Sequence, residues 1–345
     1  MSKQKKEMDE LDVVAEVDTI AQLKKDINKK YDSNVFINAQ EIVDQDRKIV
    51  SASPALDFGL NGGVVEGSWL LLSGTPKCGK STLALQICAN AQSQYNKPIF
   101  IGNIEHRLNK KEFSGIHNLN ISNIEIIQSQ KNKILMAQDF LTEFVNIITT
   151  VPECVLIIDS SSALCSTNEY SNDITSQSRN EGPKLLANFC RKMASVVPVQ
   201  KSILIIIQHL ISNTSGYGSP FYEDGGHKIQ YQGDTKIRCT SFQKWELKPG
   251  DESTRVGQTV NWQIITSALG PPGGKVQSYL RYGYGIDGIK EVINLGMDFG
   301  IIEKAGSWLT FGETKCQGEE NMRNILLNDN NQLIELKQLI QTHMI

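Results

Sequence analysis

Gly74-Thr75-Pro76-Lys77-Cys78-Gly79-Lys80-Ser81, followed by Thr82, is a glycine, four free positions and then Gly-Lys-Ser. That is the spacing of a phosphate-binding loop. The residues before it, Ser68-Trp-Leu-Leu-Leu-Ser73, read as a buried strand, and those after it, Thr82 to Ala91, as a helix with Leu83, Ile87 and Ala91 on one face. Between such flanks the loop N–H groups and the positive helix start converge on phosphates, which a chance glycine turn would not do. In that setting Lys80 reaches the β- and γ-phosphates of ATP, and the Ser81 hydroxyl sits on Mg²⁺.

Three more apolar runs follow: Pro98–Ile104, Val155–Asp159 and Ser202–Gln208. Amphipathic stretches, Ile134–Ile148 and Lys184–Val197, lie between them. Continuous apolar strands alternating with helices predict an α/β fold with a mostly parallel sheet covered on both faces. Ligands of such sheets bind at the carboxyl ends of the strands. Glu105, Asp159 and His209 all fall at those ends. Asp159, after four apolar residues, fits the acid that holds the Mg²⁺ shell, the alternative being a turn or helix-capping Asp. Glu105 fits a general base that polarises the attacking water, or else a solvated strand-end carboxylate. His209 fits a γ-phosphate sensor, or else a packed core histidine.

Composition narrows the class. At 345 residues the chain has room for about two domains. Charged residues make up 21% and hydrophobic residues 40%, an ordinary balance for a soluble protein. No apolar run approaches the roughly 20 residues of a membrane span, and Met1-Ser-Lys-Gln-Lys-Lys6 lacks the apolar segment of a signal peptide. Seven scattered cysteines without a C-x-x-C pair argue against zinc and for reduced thiols in a cytoplasmic setting. The net charge of −3 excludes a global basic field, so nucleic-acid binding would need a local surface or repeated subunits.

Two polar segments interrupt the apolar plan, at about 166–182 and 211–226. Both follow sheet strands and exceed ordinary loop length, which points to function or disorder. Arg179 and Asn180 lie in the first. The second holds Asn213, Tyr217, Phe221, Tyr222, Gly225 and Gly226, with His227 and Lys228 directly after it. Aromatics among glycines suit stacking on bases, or form a plain surface loop. Near the start, Ile20, Leu23, Ile27 and Tyr31 recur at helical spacing, on a helix that packs on its own core or docks on a neighbouring subunit. Val260, Trp262 and Ile264 alternate along a strand, and the C-terminal part reads as a small helical domain with a short hairpin.

These elements in this order resemble the RecA family of strand-exchange recombinases over about residues 18–312. The resemblance rests on Ser51–Asp57, the phosphate loop, Phe100 to Glu105-His106 and Val155–Leu164. It continues through Asp224-Gly-Gly226, Tyr284-Gly-Ile-Asp287 and Gly300–Trp308. Gln208-His209 is similar to the phage UvsX branch, because bacterial members carry Gln where His209 stands. The resemblance implies a RecA-type P-loop ATPase core over 46–285, an N-terminal tail and oligomerisation helix over 1–45 and a small C-terminal α/β domain over 286–345. It implies a DNA-dependent ATPase using ATP and Mg²⁺, working as a homo-oligomeric helical filament on single-stranded DNA and pairing it with homologous double-stranded DNA. Mediator and single-strand-binding proteins join the implied partners, and the implied location is the cytoplasm, that of the host for a phage protein. Glu105 becomes the catalytic carboxylate, His209 the switch, and 166–182 and 211–226 the two DNA-binding loops. A ring helicase of the same core fold would lack the C-terminal match.

The sequence departs from that pattern in three places. Two basic residues, spaced by one, usually reach the neighbour's ATP, where such cations stabilise phosphoryl charge in trans. Here those positions are Thr266 and Ala268, with Lys275 nearby as a substitute. One extra residue separates the phosphate loop from Glu105, so a small bulge is expected there. The acidic C-terminal tail of many bacterial members is missing.

Overall fold

The computed structural model describes residues 19–173, 181–213, 221–224, 226–248 and 250–343. It divides into two compact units, residues 1–47 and 48–345. In the first, a helix spans 19–31, and a second, Ala39–Val43, is closed by a capping box between Asn38 and Glu41. Ile20, Leu23, Tyr31, Phe36 and Ile42 of this unit are all exposed.

The second unit is built on a large mixed sheet. In chain order, β1 (Ile49–Val50) and β2 (Val64–Val65) form a small separate pair. The main strands follow: β3 (Trp69–Gly74), β4 (Ile99–Asn103), β5 (Ile124–Ile127), β6 (Val155–Asp159), β7 (Ile203–Ser212) and β8 (Phe221–Glu223). Next come β9 (Thr235–Glu246), β10 (Arg255–Thr266), β11 (Lys275–Arg281) and β12 (Gly285–Ile286). The order across the sheet is β12-β11-β10-β9-β3-β7-β6-β4-β5, with β8 folded back on β7. The β9-β3-β7-β6-β4-β5 block is parallel, and β9 to β12 are antiparallel neighbours.

The apolar runs divide their side chains between the two faces, as strand geometry requires. Leu70 and Leu72 join one core with Ile203, Ile205 and Ile207, under the helix Lys80–Tyr95. Trp69 and Leu71 join the other with Leu204 and Ile206, under helices Ala137–Thr150 and Glu181–Val199. Val260, Trp262 and Ile264 are fully buried on one side of β10, as their alternation predicts. The helix after the phosphate loop is buried on more than the one expected face, with Leu83 to Ala89 all inside. It runs under the centre of the sheet, and central position overrides the amphipathic pattern.

The C-terminal part is more than helices and a hairpin. Helices Gly288–Asp298, Glu319–Asn328 and Asn330–Gln341 pack with a three-stranded antiparallel sheet of Glu303–Ala305, Trp308–Phe311 and Thr314–Gln317. The joint to the core is ionic: Asp287 Oδ2 accepts from Arg281 Nε and Arg323 Nε, each at 2.6 Å. Arg281 stacks over Trp245 and also reaches Glu320 at 2.9 Å.

Candidate functional site

The phosphate loop bends where its sequence allows. Lys77 and Gly79 both have positive φ (62° and 96°). A Cβ on Gly79 would meet only the terminal Cδ2 methyl of Leu280, at 2.5 Å, so it is the positive φ that calls for glycine here. Thr75, Pro76 and Lys77 are exposed, Gly79, Ser81 and Thr82 half-buried, and Cys78 and Lys80 buried. Lys80 Nζ donates to the loop carbonyls of Gly74 (3.0 Å) and Thr75 (2.9 Å), which hold the ammonium at the centre of the loop.

Four sheet neighbours bring the polar strand ends together. The Ser81 hydroxyl, one residue into the helix, donates to Asp159 Oδ2 at 2.7 Å. Burial raises the Asp159 carboxyl above its ordinary range; the bond from Ser81 opposes that, and the charge of Glu105 adds to it. β4 and β6 pair up to Asn103 and Asp159. Beyond that pair the successive N–H groups of Ile104 and Glu105 point at the one Asp159 carbonyl, at 3.0 and 3.4 Å. The β4–β6 register carries no shift up to that pair, and the two N–H groups share one acceptor just beyond it. The Glu105 side chain, 9% exposed, thereby turns to the sheet end. It accepts from the Ser160 hydroxyl, stands 3.1 Å from His209 Nε2 and pairs with the exposed Arg107 at 2.8 Å. The Asp159–Ser160 peptide bond is cis.

His209 lies in β7 directly beside Gly74, and its backbone N–H donates to Ser162 Oγ at 3.1 Å. The strand does not stop at Gln208. It runs on to Ser212 and pairs back with β8, Leu210 against Glu223, Ile211 against Tyr222 and Ser212 against Phe221. The segment expected to be irregular is thus rooted as a hairpin on the strand that carries His209. Phe221 and Tyr222 are exposed on it. Gly226 and Lys228 open the helix His227–Gln232 just beyond, and Asn213 follows β7. Arg179, Asn180, Tyr217, Gly225 and the His227 side chain lie outside the described residues. The other polar segment begins with a short helix, Thr167–Ser171, capped reciprocally by Ser166 and Glu169.

Several side chains at this root were given no structural role from the sequence. Gln208, fully buried, donates to the Asp224 carbonyl at 2.6 Å and accepts from Gln230 at 2.8 Å. Glu223 Oε1 accepts from Ser73 Oγ at 3.2 Å and from both Nε (3.0 Å) and Nη2 of Arg238. One carboxylate therefore ties the phosphate-loop strand, β9 and the hairpin together. A glutamine inside an apolar strand is a readable signal; the Glu223–Arg238 pairing, fifteen residues apart, is not.

The donor set fits nucleotide triphosphate with Mg²⁺. It comprises a buried ammonium, a hydroxyl bonded to a carboxylate, and a glycine loop ahead of a helix start. Residues 18–287 match the RecA N-terminal domain family model, and residues 290–345 match the RecA C-terminal domain. The chain belongs to the RecA family. It is 27% identical to Protein RecA of Oleidesulfovibrio alaskensis over 323 residues, covering 92% of this chain and 89% of that protein. Protein RecA of Chlorobium chlorochromatii is 28% identical over 284 residues, covering 81% and 77%. Among the described residues no helix is long and apolar enough to cross a membrane.

Proposed function

We propose that this RecA-family chain is an ATP-dependent recombinase of the phage UvsX-like branch. It forms filaments on single-stranded DNA and promotes pairing and strand exchange with a homologous duplex. The observation that carries the reading is the continuous path from Lys80, Ser81 and Asp159 through Glu105 and His209 into the β7–β8 hairpin. Bound ATP with Mg²⁺ supplies the γ-phosphoryl group and the metal's charge. Lys80 binds the phosphates, while Ser81 and Asp159 hold the metal position. Glu105, kept in place by Ser160 and His209, orients a water and takes its proton. His209 shares its hydrogen bond with Glu105 and its backbone with the hairpin, where the Asp224 N–H donates to the His209 carbonyl at 3.0 Å. A change at Glu105 is thus passed to the hairpin, whose Phe221 and Tyr222 stack on bases. The exposed apolar residues Ile20, Leu23 and Tyr31 support a docking arm for the next subunit.

A second reading, an assembly protein that binds nucleotide and DNA but turns ATP over slowly, is favoured by one observation. Where trans cations are expected, β10 ends in Thr266 and Ala268 follows two residues beyond it, and the buried Thr266 hydroxyl finds no hydrogen-bond partner among the described residues. The discriminating experiment combines electron microscopy with a turnover assay. ATP- and Mg²⁺-dependent filaments on single-stranded DNA, with DNA-stimulated hydrolysis lost in Lys80→Ala, support the recombinase. Filaments without measurable turnover support the second reading, and the absence of filaments at low salt overturns both.

A further inference from the structure

The phosphate loop holds one residue for which nucleotide binding has no use. Cys78 occupies a free position of the loop, and six of the seven thiols, Cys78 and Cys239 among them, are buried. The fold brings these two together across 161 residues of chain. β9 lies parallel beside β3, pairing Leu72 with Ile237 and Ser73 with Arg238, so Cys239 arrives level with Gly74. Gly74 has no side chain. A Cβ there would stand 2.7 Å from Cys78 Sγ and 2.8 Å from Cys239 Cβ, so both cysteines close over the same bare Cα. The Cys239 thiol donates to the Ser241 carbonyl at 3.7 Å, and Lys80 Nζ donates to the Cys78 sulfur at 3.9 Å. The adjacent Cys239 side chain first and the Lys80 ammonium next lower the Cys78 thiol to about 7, with burial opposing. A thiol with so much thiolate character beside a second thiol is the chemistry of an oxidant-sensitive pair.

We propose that Cys78 and Cys239 form a modification site for two-electron thiol oxidants of the peroxide class, where a disulfide closes across the phosphate loop and excludes nucleotide. The Cys78 thiolate attacks a peroxide oxygen, the O–O bond breaks, and Cys78 becomes a sulfenic acid as hydroxide leaves. Cys239 sulfur then attacks the sulfenic sulfur. The S–S bond forms, the S–O bond breaks, and the departing hydroxide takes the Cys239 proton as water. Two thiols lose two electrons, and hydrogen peroxide is reduced to two waters. The bond ties the loop between Lys77 and Gly79 to β9, so that its N–H groups no longer turn onto phosphates. The inference rests only on the nucleotide-binding part of the proposed function.

The test uses the full chain, reduced or treated with hydrogen peroxide, and a fluorescent ATP analogue with Mg²⁺. Oxidation is expected to weaken binding by about tenfold or more. Peptide mapping without reductant should find residues 78 and 239 linked, and dithiothreitol should restore binding. Cys239→Ser should keep nucleotide binding when reduced and, on oxidation, stop at a Cys78 sulfenic acid with no 78–239 link, while Cys165→Ser, which removes the exposed thiol, should still form the link. Equal binding by oxidised and reduced wild type, or loss without a 78–239 peptide, overturns the site. This mapping needs no variant to fold. Reduced protein that binds no analogue would instead overturn the nucleotide reading itself.

Discussion

Asp287 and Glu105 both stand beside basic groups, and they are held in opposite ways. Asp287, fully buried at the joint to the C-terminal domain, has two guanidinium groups at 2.6 Å on one oxygen and the Lys290 N–H on the other at 3.2 Å. Glu105, at the sheet end, has a serine hydroxyl, a histidine ring nitrogen and one exposed arginine. The first set cannot be exchanged without leaving charge stranded inside the protein. Each member of the second can let go at modest cost, because a hydroxyl and an imidazole carry no fixed charge and an exposed ion pair is worth little. Partners of the second kind suit the proposed role of Glu105 as a base that engages water and releases it.

The largest effect expected from breaking this contrast is catalytic. Glu105→Gln keeps the size and the bonds from Ser160 and His209 but removes the base. It should lower DNA-stimulated turnover by about 10²–10⁴-fold while the melting temperature hardly moves. Parallel turnover and thermal melting measurements check this, and a large loss of stability would place Glu105 with Asp287 as a structural acid. Asp287→Ala should do the converse. It leaves Arg281 and Arg323 facing each other at the joint, at a cost of about 3–5 kcal/mol in denaturant unfolding. Turnover per folded molecule should change far less.

Another carboxylate sharpens the comparison because no basic side chain pairs with it among the described residues. Glu291, 1% exposed on the helix Gly288–Asp298, accepts from the Ala55 N–H at 3.0 Å, and burial pushes its carboxyl up to about 7. The unfolded chain releases that proton near 4.5, whereas the folded chain keeps it until about 7. Between those values the unfolded state binds fewer protons, so stability falls as pH rises through the window and levels off above it. The loss is on the order of 3 kcal/mol for such a shift. Glu291→Gln should flatten the pH dependence of the melting temperature between pH 5 and 8 by that amount. An unchanged slope would mean that Glu291 stays ionised.

How much of this was legible follows from which contacts are local. Loop, strand and helix at 68–91 share one stretch of chain, so spacing alone reveals the candidate phosphate loop. The positions of Glu105 and Asp159 could be read because apolar runs end there, whereas the strand of His209 runs on to Ser212. The short helix at 167–171 carried its own Ser166-x-x-Glu169 signature inside a segment otherwise read as irregular. The β7–β8 hairpin gave no such signal, since it depends on pairing Leu210 with Glu223 across the intervening segment. The meeting of Cys78 with Cys239 is a property of strand order, which periodicity does not encode.

Glu223 stands between the two extremes and should give the smallest effect. Its Oε1 gathers Ser73 from the phosphate-loop strand and Arg238 from β9, and its own strand carries Phe221 two residues away on the same face. It resembles Asp287 in having an arginine, but the Arg238 side chain is 24% exposed, so water can replace part of what a substitution removes. Glu223→Gln keeps an acceptor for Ser73 and removes the charge from the pairing, which should cost about 1.5–3 kcal/mol at most. The informative readout is the coupling between sites. Nucleotide affinity without DNA should be unchanged, because Glu223 touches no loop residue beyond Ser73. The increase in single-stranded DNA affinity on adding ATP should shrink, because the hairpin loses its charged tie to the phosphate-loop strand. Equal loss of DNA affinity with and without ATP would make Glu223 a structural brace, and Asp287 rather than Glu105 would then be its proper comparison.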